Sequence, residues 1–128
     1  MRRGSGRFSA LRDKSKRGFR GYPVATVAYY GPDGSRATKV AVGIIAGEGR
    51  EAEPLERWHS TDSDVRYDQA ICESVLGFIA AHKPKSVVMS PGIIGCPHEE
   101  VVDYPAGEKC PACPYWANRD RWTGEVVQ

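Results

Sequence analysis

Residues 22–46, YPVATVAYYGPDGSRATKVAVGIIA, decide the fold. Val24, Thr26, Val27, Tyr29 and Tyr30 are β-branched or aromatic, the side chains that suit a pleated, half-buried surface. Gly31-Pro32-Asp33-Gly34 follows at once. Pro presets the first turn angle, Asp bonds the turn backbone, and Gly supplies a positive φ. Beyond the turn, Thr38 to Ala46 is a second apolar run, with Val40, Val42 and Ile44 on one face. Two such runs around such a turn predict an antiparallel β-hairpin.

Toward the C-terminus, Gly47 to Asp62 begins as a Gly-, Glu- and Pro-containing loop, and Leu55 to His59 has the composition of a short third strand. Ser60 to Asp64 offers side chains that cap helices. From Asp64 to His82 the apolar residues Ile71, Val75, Phe78 and Ile79, with Cys72 and Leu76 beside them, fall at helical spacing with one wide buried face. His82 and Lys83 suit the negative end of that helix, and Pro84 ends it. Ser86 to Ser90 reads as a buried strand. The order over 22–90 is ββ(β)αβ, an α+β domain. It is an antiparallel β-hairpin, three-stranded if Leu55–His59 pairs, with one packed helix and a further strand. Cys72 is expected to pack as a small hydrophobe, and His59 and His82 to be satisfied locally.

Toward the N-terminus, residues 1–20 carry Arg2, Arg3, Arg7, Arg12, Lys14, Lys16, Arg17 and Arg20 against Asp13 alone, a local net charge of +7. The chain as a whole is only +2, so the remainder is acidic, at −5. Residues 1–21 therefore read as a basic, flexible arm, and Gly4, Gly6, Gly18 and Gly21 disfavour the amphipathic helix that a mitochondrial transit peptide, a further reading of such a segment, would need. A basic arm on an acidic body suits an anionic polymer. The competing reading is a solvated tail.

The remaining residues, 91–128, form a C-terminal region without regular periodicity. It holds Cys96-Pro97-His98 and, after eleven residues, Cys110-Pro111-Ala112-Cys113. Each short-spaced pair can bend round one ion, and the loop lets the two knuckles face one another. Cys96, His98, Cys110 and Cys113 then close a tetrahedral Cys₃His shell, the donor set of a structural Zn²⁺ of zinc-finger type. The stretch between the knuckles has turn residues and little core of its own, so metal is what would order it.

Two families share parts of this pattern. Cys96-Pro97-His98 with Cys110-Pro111 resembles the ligand loops of Rieske iron–sulfur proteins, although Cys113 stands where the second His belongs. His98-Glu99-Glu100 with Cys110 and Cys113 resembles the signature of zinc nucleobase deaminases, which would make Glu100 a proton shuttle. In that family the two ligand pairs open different helices, for which the intervening residues leave no room. Cys96 also offers a fourth ligand that would fill the position a catalytic water needs. No catalytic residue is assigned.

After Cys113, Tyr115, Trp116, Arg119, Arg121 and Trp122 interleave rings with cations, as a single-stranded nucleic acid requires. Trp116, next to the knuckle, is expected to cover it, and Trp122 to be exposed. The sequence thus predicts a small zinc-binding protein that binds RNA or DNA through its arm and through Arg119, Arg121 and Trp122. The alternative is a protein-interaction module with a structural zinc. No apolar run approaches the roughly 20 residues needed to cross a bilayer, and no secretory leader is visible, so a cytoplasmic location is expected.

Overall fold

The two runs flanking Gly31 form the predicted hairpin in a computed structural model that describes residues 11–99, 102–105, 107 and 110–116. Strand β1 (Val24–Tyr30) pairs antiparallel with β2 (Lys39–Ile45), with Val27 opposite Val42. In the connecting loop Asp33 Oδ1 accepts bonds from the Ser35 backbone N–H (2.8 Å) and hydroxyl (2.6 Å). Gly31 is required there, because a Cβ would lie 2.0 Å from the Arg36 carbonyl oxygen.

The third strand exists and is longer than its apolar residues suggest. β3 (Ala52–His59) pairs antiparallel with β2, placing Trp58 opposite Val40. β4 (Ser86–Ile93) runs parallel to β1, so the sheet order is β3-β2-β1-β4. Pro54 and Pro91 thus lie on the two edge strands, where a missing backbone donor does least harm.

One face of the sheet is apolar by alternation. Ala25, Val27 and Tyr29, their partners Ile44, Val42 and Val40, and Val87 of β4 are all buried. Two helices cover this face. The longer one (Gln69–His82) buries Cys72, Val75 and Ile79, and Phe78 meets Trp58 edge-on with ring centroids 5.9 Å apart. It starts later than its periodicity implies. Asp68 is the N-cap, accepting from the Ile71 N–H, and Asp64 serves a different purpose. Cys72 is buried as expected, its thiol directed at the Arg66 carbonyl (3.1 Å). His82 Nδ1 sits 2.9 Å from the Phe78 carbonyl oxygen, a local partner.

The second helix lies within residues 1–21, the segment expected to be a basic arm. Residues 11–16 are helical, and Leu11 is 1% exposed inside the core cluster. Among the described residues Leu11 is the one apolar side chain that docks this segment, and a single Leu leaves no periodic signal. Gly18, with φ +75°, ends the helix in the left-handed conformation that glycine tolerates. The chain stays attached beyond it, since the Arg20 N–H donates to Ser86 Oγ (2.6 Å) and that hydroxyl donates to the Gly21 carbonyl (2.8 Å). We call residues 11–16 α1 and Gln69–His82 α2. Arg2, Arg3 and Arg7 lie outside the described residues.

Asp64 ties the loop before α2 to the hairpin. Its carboxylate accepts from the Ala37 N–H (3.1 Å) and from Arg66 Nε (2.9 Å) and Nη2 (2.6 Å). Burial opposes the charge, but these bonds outweigh it and hold the carboxyl below its ordinary value. A depressed carboxyl adds stability that is complete above its unfolded pKa, near 3.9, and disappears as pH falls through the lower folded value. Asp64→Asn is therefore expected to cost about 1–3 kcal/mol at pH 7 and less and less below pH ~4. Urea unfolding across pH 2.5–7 measures this, and a constant difference would contradict it.

Candidate metal centre

Four strand-end contacts place the C-terminal region against the hairpin. Where β4 ends, the Ile94 N–H donates to the Tyr29 carbonyl (2.9 Å) and the Gly31 N–H to the Gly95 carbonyl (2.9 Å). The Trp116 indole N–H donates to the Gly31 carbonyl (2.8 Å), and the Tyr115 hydroxyl packs over Gly34. Trp116 is thus bonded to the hairpin loop directly after the second knuckle. The two rings meet edge-on, 4.9 Å apart, at a 3-10 turn (Pro114–Trp116) directly after Cys113.

Between these anchors Cys96, His98, Cys110 and Cys113 come together, with all their ligand atoms within 4.8 Å of one another. Cys96 and Cys113 are buried, and His98 and Cys110 are half-buried. The Sγ atoms of Cys96, Cys110 and Cys113 lie 3.7, 3.4 and 3.5 Å from His98 Nδ1. A tetrahedral zinc, with sulfurs at about 2.3 Å and nitrogen at about 2.0 Å, would separate each sulfur from the nitrogen by roughly 3.5 Å. The four residues therefore fit a single tetrahedral ion. The His98 N–H also points at Cys96 Sγ (3.3 Å), a contact that orients the first knuckle. Ligation through Nδ1 requires the Nε2–H tautomer of His98.

Without a metal the thiols are held protonated. Burial pushes the Cys113 thiol up to about 12, and the neighbouring Cys96 and Cys110 sulfurs add to the effect. Burial also raises Cys96, opposed by the His98 N–H. Thiols crowded in this way resist ionising, whereas a dication among them removes their protons outright.

A polar clasp beside the cluster was not visible in the sequence. Lys39 on β2 is 4% exposed, and its Nζ donates to Glu99 Oε2 (2.7 Å) and to the Pro97 carbonyl (3.0 Å). The ammonium also lies 5.3 Å from the Tyr30 ring centroid. Arg57 on β3 reaches the same carboxylate through Nε (2.5 Å) and Nη2 (3.1 Å). The Lys39 bond, with Arg57 behind it, holds the Glu99 carboxyl below its ordinary value despite partial burial. Residues 97 and 99, on either side of ligand His98, are thereby fixed to the sheet. The sequence signal was only that Lys39 opens an apolar strand.

Cys96 faces the other three ligands, which leaves a tetrahedral ion no open position. That is the arrangement of a structural site, not of a deaminase centre. Glu100, Arg119, Arg121 and Trp122 lie outside the described residues. A Rieske centre divides two sulfurs and two imidazoles between two irons. Here one imidazole nitrogen is equally near three sulfurs. Among the described residues no helix is long and apolar enough to cross a membrane. Comparison with protein-family models, with curated proteins and with solved structures finds no match for this chain.

Proposed function

We propose that this protein is a structural-zinc protein that binds RNA or DNA. The near-equal spacing of three sulfurs around His98 Nδ1 carries the zinc reading. The nucleic-acid reading is supported by charge, since residues 1–20 concentrate +7 on a chain whose remainder is −5. The docking of α1 favours it over a solvated tail, because Leu11 anchors part of that charge on the body. Arg2, Arg3, Arg7, Arg12, Lys14, Lys16, Arg17 and Arg20, with Arg119 and Arg121, contact phosphates. Trp122 stacks on a base.

The test is affinity for a single-stranded RNA as a function of salt. If half of the eight arm cations engage phosphates, log K against log salt has a slope of about −2.8, at roughly −0.7 per contact. Arg2→Gln, Arg3→Gln and Arg7→Gln together flatten that slope by about 2 if all three engage. Substitution is the correct tool, because deleting residues 1–20 would also remove Leu11 from the core. A protein that binds neither RNA nor DNA in 50 mM salt overturns the reading and leaves the protein-interaction module in its place.

A further inference from the structure

The fold brings together cations that are far apart in sequence. A cleft of 160 Å³ lies between α1 and the C-terminal end of α2, floored by Ile79 and Val87. Lys14 and Arg17 line one wall, and Lys83 and Lys85 the other. No Asp or Glu among the described residues lines it, although the body of the chain is net acidic. Among the described residues none of the four cations has a carboxylate within ion-pair reach.

Lys83 adds a second observation. It is the C-cap of α2 and the only non-glycine residue with positive φ among the described residues, at 47°. Glycine is the residue that conformation favours. A lysine held there places an ammonium at the cleft wall at a conformational cost. Complementing a helix dipole explains a cation at a helix end, but does not draw into one cleft four cations that have no carboxylate partner among the described residues. On the far side of α1 a second cleft, of 240 Å³, adds Arg12, Lys16 and Arg66, together with the Ser90 side. Arg66 is already committed to Asp64. Helix α1 is thus a basic ridge with a basic cleft on each flank.

We propose that the cleft lined by Lys14, Arg17, Lys83 and Lys85 seats backbone phosphates of a nucleic-acid strand. This rests on the nucleic-acid reading above and locates the strand along α1, with Lys83 and Lys85 as contacts supplied by the body and not by the arm. The clustering of unpaired cations favours a polyanion with regularly spaced charges. An acidic protein is the competing ligand.

The experiment uses the full zinc-loaded chain and measures anisotropy of a labelled 20-nucleotide single-stranded RNA across 50–300 mM salt, beside melting temperatures. A release of about 0.7 counterion per contact makes each contact worth about fourfold at 0.15 M salt. Lys14→Gln with Lys85→Gln is expected to weaken binding about fifteenfold and to flatten the slope by about 1.4. Lys83→Gly is expected to weaken binding about fourfold while the melting temperature holds or rises, a pair of opposite effects that a merely structural lysine would not produce. Arg50→Gln, on the β2–β3 connection at the opposite edge of the sheet, serves as the control for net charge. If RNA binds with a steep salt slope and these cleft variants match Arg50→Gln, the cleft is wrong and the nucleic-acid reading stands. If neither RNA nor single-stranded DNA binds in 50 mM salt, both fall. Polyglutamate that competes as well as RNA at equal charge would also overturn the proposal, in favour of an acidic protein.

Discussion

Chelating the metal from the purified protein will unfold residues 94–116 and leave the four-stranded sheet folded. Among the described residues of this stretch the buried side chains are Ile94, Cys96, Tyr104 and Cys113, and two of these four are thiols of the cluster. Val102, between the knuckles, is 75% exposed. Such a stretch buries too little to order itself, whereas structural zinc contributes about 10–16 kcal/mol of apparent binding energy in comparable modules. Elemental analysis should find one zinc per chain and the protein should be colourless. Cys113→Ser should lose most of that metal. Backbone amide spectra recorded before and after chelation should change at residues 94–116 and at Gly31, which is bonded to both Gly95 and Trp116. The signals of β1–β3 should otherwise persist. Iron in place of zinc, or a Cys113→Ser protein with its metal intact, would overturn the assignment.

Glu99→Ala is expected to be among the most damaging substitutions outside the ligands. It strands the Lys39 ammonium, 4% exposed, beneath the first knuckle. Removing one partner of a buried pair costs about 3–5 kcal/mol, and Glu99, at 32% exposed, places this case near the lower end. Loss of the partners that orient metal ligands typically weakens metal binding about 10–100-fold. The double variant Lys39→Met with Glu99→Gln should recover most of the stability, because the uncompensated charge is gone. It should not recover the metal affinity, because Pro97 and residue 99 are no longer tethered. Urea denaturation and a competition assay with a zinc chelator separate the two effects. Full stability in Glu99→Ala would show that water already solvates Lys39.

The parts legible in the sequence were those with a short-range physical cause. The hairpin follows from alternating β-branched residues around Gly31-Pro32-Asp33-Gly34, the helix from the spacing of Ile71, Val75 and Ile79, and the four ligands from two tight knuckles. What escaped depends on tertiary placement. Nothing local says that β4 lies parallel to β1, because that is decided by where α2 carries the chain. α1 was missed because, among its described residues, Leu11 is the one apolar side chain in the core, and Gly18 and Gly21 lie beyond its end. Asp64 and Asp68 are equally good caps by composition, and only the Arg66 and Ala37 bonds commit the first elsewhere. Lys39 is polar in composition and buried in fact, which requires a Glu99 brought from the far end of the chain.

The parallel pairing of β1 with β4 has a consequence for how the molecule assembles. β1, β2 and β3 form a meander whose contacts are close in sequence, so they can form early. β4 pairs with β1 only after α2 has crossed the sheet from the β3 edge, which closes a long loop and is intrinsically slow. The metal ligands lie beyond β4, and the backbone bonds from Ile94 and Gly95 that seat them require that strand in place. Capture of an ion by these four ligands in their final geometry would therefore be the last event of folding. Such an ion would act as a latch on the slowest strand, so the zinc proposed above should retard unfolding more than it accelerates folding.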